Sequence, residues 1–145
     1  MKLTTKGKYA VTAILDMAVY GQSGPITVHS IAARQGISPL YLERLTGLMR
    51  AKGLLVSVKG PGGGYKLNRS PTQITVADII QAIEEPIDIT TCKGLENCQK
   101  GDICLTHSLW EKLNNHIMNY FKSITVYDLV ECPKIKSQVQ KKLNS

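Results

Sequence analysis

Apolar residues recur at helical spacing near the start of the chain: Ala10, Ala13, Ile14, Met17 and Ala18 share one face of a helix expected over Lys6–Tyr20, with Thr4 or Thr5 as its cap. Thr27 ahead of VHSIAARQ and Gly36 behind it bound a second helix, about 28–35, because a hydroxyl caps free amides and glycine accepts a left-handed end. Ser38 and Pro39 open a third, LYLERLTGLMRAK, with leucine at 42, 45 and 48 and Gly53 as its stop. The pattern then turns extended. LLVSVKG and YKLNR read as strands around KGPGGG, whose glycines and proline no helix tolerates.

Thr75 with Asp78 resembles a capping box opening a fourth helix, VADIIQAIEE, and Pro86 lies just past it. No period emerges from there to about Thr106. A long amphipathic helix follows, about 106–122, with Leu109, Leu113, Ile117 and Phe121 four apart and Trp110 beside them. Thr125 caps a short last helix ending before Pro133, and the Lys-rich tail to Ser145 reads as frayed and flexible. The expected architecture is mainly α: a winged helix-turn-helix with a two-stranded β wing over 1–86, a ligand-bearing loop over 87–107, C-terminal helices over 106–132 and a tail over 133–145.

Charge sharpens this picture. The 145 residues carry a net charge of +7. Arg34, Arg44, Arg50, Lys52, Lys59, Lys66 and Arg69 fall in one segment with a single acid, Glu43, so nearly the whole excess, +6, sits between Arg34 and Arg69, mostly on the third helix and the hairpin. A duplex reader needs cations there for phosphates, whereas a purely structural helical domain does not. The third helix, about 21 Å long, is the candidate for the major groove. Ser38, Leu40, Tyr41, Glu43 and Arg44 occupy its first turn and a half. Arg44 can bond guanine and Glu43 can accept from cytosine N4; packing is the competing reading of Leu40 and Tyr41. In the hairpin, Lys59 would reach phosphate or a minor groove beside Gly60, Pro61 and Gly62, a plain solvent hairpin being the alternative. A nucleotide-binding loop is disfavoured, because the glycines lack a Gly-Lys-Ser/Thr ending and open no helix.

The aperiodic stretch contains Cys92, Cys98 and Cys104 at equal six-residue intervals, then His107 one helical turn on. Lys6, Lys8 and Asp16 interrupt any secretory leader, and no run approaches the ~20 apolar residues of a membrane span, so a soluble cytoplasmic protein is expected. In a reducing compartment such cysteines serve metal or redox chemistry. Three thiolates and an imidazole suit the four terminal positions of a [2Fe-2S] core, and the gaps with Gly94 and Gly101 suit something wider than one ion. Zinc is the rival, although its ligand pairs usually lie closer in sequence. Cys132, His29 and His116 have no evident partner in the sequence, and no paired carboxylates or activated nucleophile suggest an enzyme.

MKLTTKGKYAVTAILDMA, ISPLYLERL, KGPGGGYKL and the Cys92, Cys98, Cys104, His107 comb together resemble the iron-sulfur sensing regulators of the bacterial Rrf-two family, over about residues 1–131. The resemblance implies a homodimeric transcription factor, mainly a repressor of iron-sulfur cluster biogenesis genes. It implies one [2Fe-2S] cluster per subunit on those four residues, supplied by the cluster assembly machinery. It also implies a dimer interface on the long helix and a role for Glu43 in operator choice; two subunits pairing through Leu109, Leu113, Ile117 and Phe121 are expected to set two third helices one DNA turn apart on near-palindromic operator DNA. Leu40 and Arg44 stand where neutral polar residues are expected, so the operator is expected to differ. Nitric-oxide sensors of the same family space their cysteines less evenly, and some add a carboxylate from the first helix, where this chain has Lys6 and Lys8.

Overall fold

The computed structural model describes residues 5–84, 95, 102 and 104–143. Helix α1 (Thr5–Tyr20) is followed by α2 (Val28–Gln35) and α3 (Pro39–Ala51), then strands β1 (Leu55–Val58) and β2 (Gly64–Leu67), and helices α4 (Val76–Ala82), α5 (His107–Ser123), α6 (Val126–Val130) and α7 (Pro133–Leu143). Two short 3-10 turns, Gly21–Ser23 and Pro71–Gln73, supplement them. The mainly helical winged fold is the one the sequence predicts. Helix starts follow the expected caps: Thr27 accepts from the Ser30 amide, and Thr75 and Asp78 satisfy each other's backbone amides. Gly36, at φ 68°, ends α2 in the left-handed conformation. Thr4 lies outside the described residues.

One core unites the elements. Ala10, Ala13, Ile14 and Met17 of α1 pack with Ile31 of α2, Leu42, Leu45 and Met49 of α3, Leu55 of β1 and Ile79 of α4. The strands pair antiparallel, Leu55 opposite Leu67 and Val58 opposite Gly64. Ile26, in the loop before α2, adds a bridge: its amide donates to the Tyr65 carbonyl at 2.9 Å, and the Tyr65 amide returns a bond at 2.7 Å. Gly64, at φ 152°, is required by this close approach, since a Cβ there would collide with the Ile26 carbonyl.

The C-terminal helices return to the body through a paired repeat. Residues 74–78, ITVAD, and 124–128, ITVYD, lie antiparallel, with the Val76 amide donating to the Ile124 carbonyl (2.9 Å) and the Val126 amide to that of Ile74 (2.8 Å). Both open with a Thr–Asp capping box. Val126 is completely buried in the main core, so α6 is part of the winged-helix body.

Two expectations change. The tail expected to fray is helix α7, which lines a hollow against α1 through Ile135 and Val139 and sends the Lys142 ammonium to the Arg34 carbonyl at 3.1 Å. Arg34 is also no part of a free basic face. Its Nε and Nη2 donate to the Asp16 carboxylate at 2.9 and 2.6 Å, Gln35 adds a third bond at 2.8 Å, and the guanidinium stacks over the Tyr20 ring. The Asp16 side chain is fully buried, so a counter-charge is required there. The hydrogen bond to Asp16, ahead of its opposing desolvation, holds the Arg34 guanidinium above its ordinary pKa.

Candidate functional site

The first turn of α3 is built by its cap. Ser38 accepts, at a long 3.5 Å, from the Tyr41 amide, and Pro39 fixes the first helical residue. Leu42, Leu45, Thr46 and Met49 face inward and leave Leu40, Glu43, Arg44 and Arg50 exposed. The Thr46 hydroxyl donates to the Glu43 carbonyl, a further tie within the helix. Leu40 and Tyr41 part company. Tyr41 is half-buried, its ring edge-on to Tyr9 at 5.8 Å between centroids, whereas Leu40 is 77% exposed. Thr5, Tyr9, Ser38, Leu40, Tyr41 and Arg44 line one open hollow.

At the hairpin tip Lys59, Gly60, Pro61 and Gly62 are all exposed. Gly60 (φ 94°) and Gly62 (φ 74°) adopt left-handed conformations, and a Cβ on Gly63 would strike the Val58 carbonyl, so the turn itself accounts for these glycines. Of the seven basic residues in this segment, Arg34 is taken by Asp16, Lys52 lies 3.9 Å from Glu84, and Arg69 lies 3.8 Å from Asp78. Arg44, Arg50, Lys59 and Lys66 form no ion pair among the described residues and are all exposed. Arg50 and Lys66 are additions to the candidate interface; charge counting includes them, but only the exposed face of α3 and the strand register single them out.

Cys92 and Cys98 lie outside the described residues. Cys104 and His107 share one turn, where the His107 amide donates to the Cys104 carbonyl at 3.1 Å. His107 is 5% exposed and is the one buried residue of α5, whose N-cap, Thr106, also receives the Trp110 indole N–H at 2.9 Å. Along the rest of α5, Leu109 and Leu113 are exposed, Ile117 and Phe121 half-buried, and Trp110 and Tyr120 exposed. An amphipathic helix whose apolar row stays this open has a large apolar face left uncovered. Among the described residues no three metal-binding side chains come together, and no helix is long and apolar enough to cross a membrane.

Comparison with known proteins supplies the context. The family model for Rrf2, described as iron-dependent transcriptional regulator, matches residues 3–132. The HTH-type transcriptional regulator IscR of Pectobacterium carotovorum is 50% identical over 130 residues, covering 90% of this chain and 79% of that protein. IscR of Photorhabdus laumondii matches to the same extent. Among solved structures, IscR of T. potens superposes with a TM-score of 0.74 at 40% identity, over 90% of this chain and 87% of that one. CymR, the global cysteine regulator of B. subtilis, gives a TM-score of 0.76 at 33% identity, over 89% and 95%. The two curated relatives are transcriptional regulators rather than enzymes. An exposed basic helix and wing on this fold, together with a family match spanning most of the chain, establish that the protein belongs to the Rrf2 family of transcriptional regulators.

Proposed function

We propose that the chain is an iron-sulfur cluster sensing transcriptional regulator, mainly a repressor of cluster biogenesis genes, that binds near-palindromic operator DNA as a cytoplasmic homodimer. The observation that carries the reading is the Cys104–His107 turn at the start of α5. A buried imidazole beside a cysteine at a helix start suits ligation, and with Cys92 and Cys98 the donor set is three thiolates and one imidazole. Those four residues would hold one [2Fe-2S] cluster per subunit, received from the cluster assembly machinery. When bound, the group supplies iron centres that fix four protein ligands and a redox-sensitive charge.

The chain's own residues do the rest. His107 anchors the first turn of α5, and the far end of α5 leads into the Ile124–Val126 segment hydrogen-bonded to Ile74–Val76. Helix α5 is thus a strut between the ligand turn and the body that carries α3 and the wing. Its row of Leu109, Leu113, Ile117 and Phe121 forms the dimer contact, setting two α3 helices about 34 Å apart, one DNA turn. Ser38, Leu40, Tyr41, Glu43 and Arg44 approach base edges, and Lys59, Gly60, Pro61 and Gly62 follow the backbone. Shifts in the strut alter the spacing or tilt of the two readers; allosteric couplings of about 1–3 kcal/mol change affinity about 5- to 150-fold.

The test compares cluster-loaded with cluster-stripped protein on duplexes enriched separately by each form. The reading expects the two forms to differ at least about 5-fold in preference between the duplex sets. Equal preference refutes sensing. A colourless, zinc-containing protein with the same DNA preference would indicate a zinc-stapled regulator instead, and a response to nitric oxide with none to cluster supply would indicate a nitric-oxide sensor.

A further inference from the structure

Leu40 is the anomaly of the DNA-facing surface. It sits at the second position of α3, 77% exposed, on the helix proposed to meet a polyanion. The core does not need it, since Leu42, Leu45 and Met49 already form the inward face. It borders an open hollow of about 680 Å³ that is also lined by Tyr9 and Tyr41, whose rings meet edge-on, and by the exposed Arg44. Leu40 and Arg44 are four residues apart and so lie on the same side of the helix.

Charge complementarity names the occupant. An exposed cation beside an apolar hollow suits a surface that is anionic overall and offers one apolar group at its reading face. The major-groove edge of duplex DNA has that character, and the C5-methyl of thymine is its apolar group. Resting on the DNA-binding reading above, we infer that Leu40 and the Tyr9–Tyr41 hollow read a thymine methyl while Arg44 reads a nearby guanine. Four helical residues advance about 6 Å along α3, and base pairs are spaced by about 3.4 Å. The thymine therefore lies within about two base pairs of the guanine.

The probe is a duplex enriched by the protein itself from a random pool, then remade with uracil in place of thymine one position at a time. Binding is read by fluorescence anisotropy. Removing one buried methyl should weaken wild-type binding about 4-fold per half-site, and about 15-fold when both half-sites are changed. Leu40→Ala should bind the thymine and uracil duplexes equally, with an unchanged melting temperature because Leu40 is exposed. Arg44→Ala should keep the uracil penalty. A pool that yields no enriched duplex overturns DNA binding and this inference together. An enriched duplex that tolerates uracil everywhere, or a penalty that survives in Leu40→Ala, overturns this inference alone. So does a Leu40→Ala protein whose oligomeric state changes in sedimentation, because the hollow would then be a contact between copies of the chain.

Discussion

Replacing Lys59 with alanine separates backbone attraction from base reading, and the structure sets the size of the effect. Arg44, Arg50, Lys59 and Lys66 are exposed and form no ion pair among the described residues, whereas Arg34 is held by the buried Asp16. With Arg44 given to the bases, Arg50, Lys59 and Lys66 leave three cations per subunit and about six per dimer, and each neutralised phosphate contributes about 0.9 to the slope of log affinity against log salt. The expected slope is therefore about −5, against about −11 if the ion-paired Arg34, Lys52 and Arg69 were available as well. Lys59→Ala removes two cations per dimer and should flatten the slope by about 1.8. Between 50 and 200 mM salt that difference amounts to about a 12-fold smaller loss of affinity. Anisotropy titrations at four salt concentrations, on enriched and scrambled duplexes, measure it. Lys59→Ala should weaken both duplexes alike, while Arg44→Ala should weaken the enriched one by about 1–3 kcal/mol and narrow the gap between them. Identical behaviour of the two variants would refute the division of labour between wing and helix, and a wild-type slope near about −11 would refute the reading that the ion pairs of Arg34, Lys52 and Arg69 withhold them from phosphate.

Asp16→Ala leaves a guanidinium and an amide without their acceptor; since the Arg34 side chain is 27% exposed, water offsets part of the loss, and thermal denaturation should show destabilisation of about 2–3 kcal/mol. A loss under about 0.5 kcal/mol would mean that this network does not hold α1 to α2. Leu113→Glu should shift sedimentation from dimer to monomer and weaken operator binding while far-UV circular dichroism is kept; a persisting dimer would place the interface elsewhere. Thr125→Ala removes a cap and should cost about 1 kcal/mol. The Asp128 carboxyl is held below its ordinary range chiefly by the Thr125 backbone amide, with the hydroxyl adding to it. The stability it contributes is present above the unfolded aspartate pKa and is lost as pH falls through the lowered folded value. Carboxyl chemical shifts of Asp128 followed by NMR through acid titration should give a midpoint below that of an unfolded aspartate, and an ordinary midpoint would contradict the capping box.

Much of the fold was legible because its punctuation is local. Thr27, Ser38–Pro39, Thr75–Asp78 and Thr125 each mark a helix start through bonds formed within three residues. The KGPGGG turn likewise declares itself by positive φ angles that only glycine adopts cheaply. What escaped depends on contacts distant in sequence. Helix α7 is polar and Lys-rich, and its few apolar positions, such as Ile135 and Val139, acquire meaning only beside α1. The ITV repeats at 74 and 124 are visible in the sequence, yet nothing there says that they pair. Asp16 looks like a surface acid until Arg34, eighteen residues away, is found on it. Gly64 reads as one more turn glycine, although it is the Ile26 carbonyl that excludes a side chain there.

The central claim is that Cys92, Cys98, Cys104 and His107 hold a two-iron centre whose presence retunes DNA choice. The most direct measurement is anaerobic purification followed by iron, sulfide and zinc analysis with a visible absorption spectrum, on wild type and on the Cys92→Ala, Cys98→Ala, Cys104→Ala triple variant. About two iron and two sulfide per chain in the wild type, with the colour abolished in a triple variant that remains folded, is the predicted result. Iron-free wild-type protein, or a triple variant that keeps its colour, would contradict it.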